Sequence, residues 1–136
     1  MKRSIRIALG VTAALALGLV IALAVYLVHD HDLQAQVHAR IDQRTAYWTA
    51  TVNAEVPLGA SKDQATQWLR RRIPDYQPTP PEPGDEHALT AIADVIPEQG
   101  SGRLVCNEWL VLIDLDLGPD DRVISRRVHA VAGTCL

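Results

Sequence analysis

An uncharged apolar run from Ile7 to Val28 limits what this chain can be more than any other feature of its sequence. As a helix rising about 1.5 Å per residue, the run extends about 33 Å, which is enough to cross the hydrocarbon core of a bilayer. A secretory signal has a shorter apolar core of about 7 to 15 residues. We therefore predict a transmembrane helix over residues 7–28. The small-residue pattern that ends at Ala24 leaves one alternative open, which is cleavage near Ala24 and secretion of the rest.

Charges on the two sides of the run predict its orientation. Three basic residues lie within residues 1–6, and the first charges after the run are Asp30 and Asp32. Because cytoplasmic flanks carry an excess of Lys and Arg, we expect a cytoplasmic N-terminus in a bacterial inner membrane and a periplasmic remainder. The chain has 13 Lys+Arg and 16 Asp+Glu, so without those three the exported part has 10 basic against 16 acidic residues, a formal net charge of −6. This charge disfavours nucleic acid as a partner.

Residues 29–55 are predicted to form a juxtamembrane helical stalk and connector. Leu33, Val37 and Ile41 recur every fourth position and give one narrow apolar stripe. Toward its end, from Trp48 to Val56, apolar and polar residues alternate, which permits a short strand. The histidines of the HDHD segment that starts the stalk lie two apart and point to different sides of a helix, so we predict no metal site there.

A short helix is predicted from about Lys62 to Arg72. Ser61 and Gln64 have the spacing of a capping box, and Trp68 and Leu69 lie on one face with Ala65. The helix ends before Pro74 with three arginines in its last turn, where cations suit the helix dipole. An anion-binding patch is the alternative interpretation of these arginines.

A Pro-rich loop is predicted over residues 77–86, because closely spaced prolines favour an extended chain that cannot pair inside a sheet. A peptide ligand for an aromatic groove is the weaker alternative. The segment from His87 to Ile96 is ambiguous between strand and short helix. We favour a strand, since β-branched residues are bounded by Gly84 and Pro97.

The C-terminal region predicts a β-hairpin. Trp109, Val111, Ile113 and Leu115 alternate with polar positions before a Gly-Pro-Asp-Asp turn, and a second β-rich run follows. A four-residue loop over Pro119–Arg122 would set Gly118 opposite Val123. The same register pairs Ile113 with Val128, Val111 with Ala130, Leu117 with Ile124, Asp114 with Arg127, and Cys106 with Cys135.

Two consequences follow from this register. An exported hairpin with Cys106 opposite Cys135 should form a disulfide, and Asp114 should form a salt bridge with Arg127. The apolar face of the hairpin also needs a cover, for which the helix bearing Trp68 and Leu69 is the nearby candidate. The predicted structural core consists of Trp68, Leu69, Trp109, Val111, Ile113 and Val128.

No catalytic or cofactor motif occurs, so we predict no enzyme, no cofactor, no metal and no small-molecule ligand. The acidic turn that begins at Asp114 lacks the spacing of a calcium loop, since Gly118 and Pro119 occupy the positions that need an oxygen ligand and a glycine. His129 lies within a predicted strand, and we interpret it as a half-exposed strand residue. An unrecognised enzyme site around His87 or His129 is kept as an alternative.

From about Val56 to Leu136 the layout resembles the small exported SmpA/OmlA-like domains. That group includes the lipoprotein subunit of the outer-membrane barrel-assembly machinery and the β-lactamase-inhibitor-like fold. Gly59, Ser61 and Leu69 match its usual Gly-x-Ser/Thr…Leu pattern, whereas the Gly-x-Pro that often follows and the lipobox cysteine are missing. The resemblance implies helices packed on an antiparallel sheet and a protein-binding role at the envelope.

The sequence thus predicts an α+β protein: a transmembrane helix, then a domain over residues 56–136. In that domain one or two helices pack on a three- to four-stranded antiparallel sheet that ends in a hairpin. We expect its function to be the binding of another, unidentified envelope protein in an assembly or scaffolding role. An immunity or inhibitor protein against a periplasmic hydrolase is the alternative within the binding class.

Overall fold

The computed structural model describes residues 2–77, 87–100, 106 and 108–133, with side chains from residue 15 onward. It contains an α+β fold, as predicted. The elements in chain order are α1 (Lys2–Glu55), α2 (Lys62–Arg72), β1 (Ala88–Pro97), β2 (Glu108–Leu117) and β3 (Val123–Ala132).

Helix α1 is continuous from the apolar run into the folded domain. At about 1.5 Å per residue its 54 residues extend about 80 Å. In the apolar run the described side chains are exposed on every side of the helix, as expected where lipid is the solvent. The helix is long and apolar enough near the N-terminus to span a membrane. The protein is therefore compatible with a single-pass membrane anchor.

The second half of α1 packs on the sheet and is not a free stalk. Val37, Ile41, Trp48, Val52 and Val56 are buried in the main core, and α1 contacts all three strands. The strand predicted between Trp48 and Val56 is wrong, because this segment is the last turns of α1. Val52 and Val56 are four residues apart. This spacing puts them on the same face of a strand and also on the same face of a helix, so the alternating pattern did not distinguish the two.

Helix α2 begins and ends where the sequence predicts. The Ser61 hydroxyl accepts from the Gln64 backbone N–H (3.3 Å), and the Gln64 side chain accepts from the Ser61 N–H (3.0 Å), which completes the capping box. Its buried residues, Ala65, Trp68 and Leu69, belong to the same core as α1. The expected cover, α2, is therefore joined by α1, which contacts all three strands, and two helices agree with the predicted fold class.

The three strands form an antiparallel sheet of order β1-β2-β3. The predicted hairpin register is present from Trp109 opposite Ala132 to Asp116 opposite Ser125. Near the turn the prediction is wrong, because Leu117 lies opposite Val123 rather than Ile124. The unpaired Ile124 is 61% exposed.

The turn chemistry explains this difference. The loop has three residues, closed by a hydrogen bond from Gly118 N–H to Arg122 O (2.8 Å) and one from Asp121 N–H to Gly118 O (3.0 Å). Asp121 has φ 53°, the left-handed conformation that follows a type I turn in such loops. One residue fewer in the loop is compensated by the bulge at Ile124, so the predicted alignment returns beyond it.

Strand β3 also provides a hydrogen-bond donor for backbone carbonyls at the C-terminal end of α1. The Arg126 guanidinium donates to the carbonyl of Val56 (2.6 Å) and to that of Asn53 (3.3 Å). The last turn of α1 has no basic residue of its own. Arg126 therefore supplies the cation that favours the negative end of the helix dipole.

Candidate functional site

One face of the sheet is covered by the helices and the other, here called the open face, is not. Five apolar side chains lie on the open face in adjacent positions of the three strands, and we call them the open-face patch: Ile92, Val95, Leu110, Leu112 and Val131. Ile92 and Val95 are each 51% exposed, and the other three are half-buried. The patch is a contiguous apolar surface that neither helix covers.

The sequence signal for this patch lies in β2, which reads EWLVLIDLDL. Its core-side residues Val111, Ile113 and Leu115 are fully buried. A strand with one solvated face should alternate, whereas a strand covered on both faces reads as a continuous apolar run. Leu110 and Leu112 break the alternation. The alternating positions of β2 alone therefore do not predict the open-face patch.

A polar cluster borders the patch on the side of the hairpin turn. Asp114 is only 9% exposed, and its carboxylate accepts from the Thr90 hydroxyl (2.9 Å). The predicted ion pair is present, with Arg127 Nη2 lying 3.3 Å from Asp114 Oδ2. His129 Nδ1 lies 3.4 Å from the same oxygen. The cluster therefore holds a nearly buried carboxylate between three groups that can donate to it.

The cluster brings a hydroxyl and an imidazole to the same carboxylate, that of Asp114. The Thr90 hydroxyl donates to Asp114, and the buried Nδ1 of His129 has no hydrogen bond. His87 is exposed at the start of β1, where its carbonyl accepts from Leu117 N–H (2.5 Å). Within the described ranges, no group of three or more His, Cys, Asp or Glu side chains is placed to hold a metal ion.

The predicted core residues divide into two groups. Trp68, Leu69, Val111 and Ile113 are buried, whereas Trp109 and Val128 are half-buried and pack against the core. Trp109 meets the His38 ring edge to face, with centroids 5.9 Å apart, and its indole N–H donates to Glu98. Trp109 thus joins β2 to α1 at the end of the sheet nearest the apolar run.

The connection after β1 lies close to the end of that run. Gly100 has φ +75° and approaches Asp30 so closely that a Cβ would lie 2.6 Å from the Asp30 carboxylate. Asp30 follows Val28 by two residues, a rise of about 3 Å along the helix. The folded domain therefore begins at the end of the apolar run, without a spacer.

At the other end of α1, Glu55 joins the two helices. Its carboxylate accepts from Trp68 Nε1 (2.7 Å) and Arg72 Nε (2.8 Å), and Arg72 Nη2 pairs with its second oxygen. The hydrogen bond from Arg72, then that from Trp68, holds the pKa of Glu55 below its ordinary value. Glu55 in turn raises the pKa of Arg72. One arginine of the predicted trio therefore has a structural partner.

Some predicted features fall outside the described residues. Cys106 is half-buried, but Cys135 is not among the described positions, so the Cys106–Cys135 disulfide stays a prediction. Residues 78–86 of the Pro-rich loop also lie outside.

No protein-family model matches this chain, no curated protein matches its sequence, and no solved structure matches its fold. The resemblance to the SmpA/OmlA-like domains therefore stays a prediction.

Proposed function

We propose that this protein is a single-pass inner-membrane protein whose periplasmic domain binds another envelope protein through the open-face patch. The uncharged run supplies the membrane anchor, and the basic residues that precede it favour a cytoplasmic N-terminus. The folded domain that follows would then lie directly above the outer leaflet of the inner membrane.

The observation that carries the proposal is the exposed patch on the central and flanking strands. Single apolar residues on a surface are ordinary, but contiguous ones mark interaction sites. Here five of them are contiguous on the open face, and a polar cluster around Asp114 borders them. An apolar centre with a polar rim is the usual anatomy of a protein-protein interface.

Photocrosslinking in intact cells tests this proposal. A photoreactive residue at Leu112, in the centre of the patch, should capture a single envelope protein in near-stoichiometric amount. Ile124 is the matched control, because it is an exposed apolar residue of the same sheet that lies outside the patch. Capture of nothing at Leu112, or of the same products at both positions, would contradict the proposal.

A further inference from the structure

The open face has a charge pattern that specifies the chemistry of its partner. On the open face of strand β2, Glu108 lies at the end of the patch nearest the apolar run, and Asp116 lies beyond Asp114 and its polar cluster at the other end. At about 3.3 Å per residue these positions lie about 26 Å apart. Among the described residues neither side chain forms an ion pair, in contrast to Asp114, which pairs with Arg127. Within the described ranges, the patch and its polar border therefore lie between two carboxylates that form no ion pair.

The shape of the face fits a helix laid along the strands. Three strands about 4.8 Å apart give a surface about 14 Å wide, close to the 10–12 Å diameter of a helix with its side chains. The covered face already holds such a helix. Trp109 contacts α1 at His38, and Arg126, opposite Leu115, contacts it at Asn53. These contacts are about 20 Å apart along β2 and about 22 Å along α1, so helix and strand run together.

The position of the face relative to the apolar run suggests where that helix comes from. Because Gly100 lies against Asp30, the lower end of the sheet is at the level where α1 leaves the membrane. A second membrane-spanning helix that continued straight into the periplasm would meet the open face without a linker. Over 26 Å such a helix has about 17 residues.

We propose that the open face binds the juxtamembrane helix of another membrane protein, with an apolar stripe at its centre and a basic residue at each end, about 17 residues apart. This inference rests on the proposed function and names the partner's chemistry. A second copy of the chain fits less well. A two-fold axis along the membrane normal would place β2 over its counterpart and set Asp116 against Asp116 and Glu108 against Glu108.

Peptide binding to the full chain in a non-ionic detergent tests this proposal. The probe is an 18-residue helical peptide with a leucine stripe and lysines at both ends. Its controls are the same peptide with glutamates at the ends and a scrambled peptide of the first composition. We expect the lysine peptide to bind about three- to tenfold more tightly than the glutamate peptide, because it can form two exposed ion pairs with the open face. The preference should shrink with added salt.

Variants of the chain test which residues cause the preference for the lysine peptide. The double change Glu108→Gln and Asp116→Asn should abolish the preference, whereas Asp42→Asn, which removes an exposed carboxylate of α1, should leave it unchanged. Leu112→Asp should abolish binding of both helical peptides. Equal affinities for the two helical peptides, an unchanged preference in the double variant, or tight binding of the scrambled peptide would overturn the proposal.

Three further outcomes separate this inference from the proposed function. If the chain is dimeric in detergent and Leu112→Asp makes it monomeric, the occupant is a second copy and the inference fails. If Leu112 captures one envelope protein in cells while the peptides show no charge preference, the binding role stands and the partner chemistry is wrong. If Leu112 captures nothing in cells, the proposed function fails with it.

Discussion

At the scale of single residues, two carboxylates contribute differently to the fold. Glu55 lies at the surface and joins α1 to α2 through the indole of Trp68 and the guanidinium of Arg72. Asp114 is nearly buried on the open face and orders the polar border of the patch through Thr90 and Arg127. Removing the first should loosen the packing of the two helices, and removing the second should break the hydrogen bonds that join β2 to Thr90 of β1 and Arg127 of β3.

Glu55→Gln should lower the melting temperature at neutral pH, because the neutral amide cannot pair with Arg72. The pKa of Glu55 is lowered in the fold, so its contribution is fully present above the ordinary value of 4.5 and is lost as the pH falls through the lowered value. Thermal unfolding of both proteins at pH 7 and pH 3 should show a smaller difference in acid. Asp42→Asn is the control, and a difference that did not change with pH would contradict this explanation.

Asp114→Ala should cost about 1–3 kcal/mol of unfolding free energy, because Thr90 and Arg127 lose their shared acceptor. Arg127→Ala should cost less, since the Arg127 side chain is mostly exposed and can be hydrated when unpaired. Denaturant unfolding of the two variants measures both values. Equal losses of unfolding free energy in the two variants would show that the burial of Asp114 does not increase its contribution to stability.

At the scale of elements, α1 has two environments along one helix. Its first part exposes apolar side chains on all sides, and its second part buries one face against the sheet and exposes the rest. The change occurs without a break in the helix. The second part is therefore half of the core, although it reads in the sequence as a connector.

A pair of neighbouring substitutions tests this role. Val52 is 1% exposed, so Val52→Ala should cost about 2 kcal/mol of unfolding free energy through lost burial and a residual cavity. Ala50, two residues earlier, is exposed, and Ala50→Ser should change stability by less than about 0.5 kcal/mol. Similar small effects at both positions, measured by denaturant unfolding, would show that this part of α1 is a free stalk.

The hairpin allows a further prediction at this scale. If the domain is periplasmic, Cys106 and Cys135 should be oxidised to a disulfide that closes the open end of the hairpin, and the chain-entropy argument gives such a loop about 3–4 kcal/mol. Non-reducing mass spectrometry of protein isolated from membranes should find no free thiol. Two alkylated cysteines in that measurement would contradict both the disulfide and the exported location.

At the scale of the whole molecule, the proposal depends on the orientation of α1 in the membrane. A reporter enzyme that is active only outside the cytosol, fused after Leu136, should be active in cells. A cytosolic reporter at the same position should be silent. The reverse result would place the open face in the cytosol and remove the proposed envelope partner.

Several parts of this architecture could be predicted from local sequence signals. The capping box of α2 and the hairpin register depend on neighbouring residues, and both are present apart from the turn. The roles of Val52 and Leu112 could not be predicted in this way, because each depends on which distant element covers it. In both segments an apolar-polar alternation predicts a strand with one buried face. The residues between the alternating positions, which the alternation does not describe, determine the actual environment.

The contact between Gly100 and Asp30 fixes the sheet to the axis of α1 at the end of the apolar run. The number of helical residues between the apolar run and Asp30 then sets the rotation of the sheet about the α1 axis, and with it the direction in which the open face points in the membrane plane. Inserting one alanine between Val28 and His29 would turn the whole domain by about 100° while raising it only about 1.5 Å.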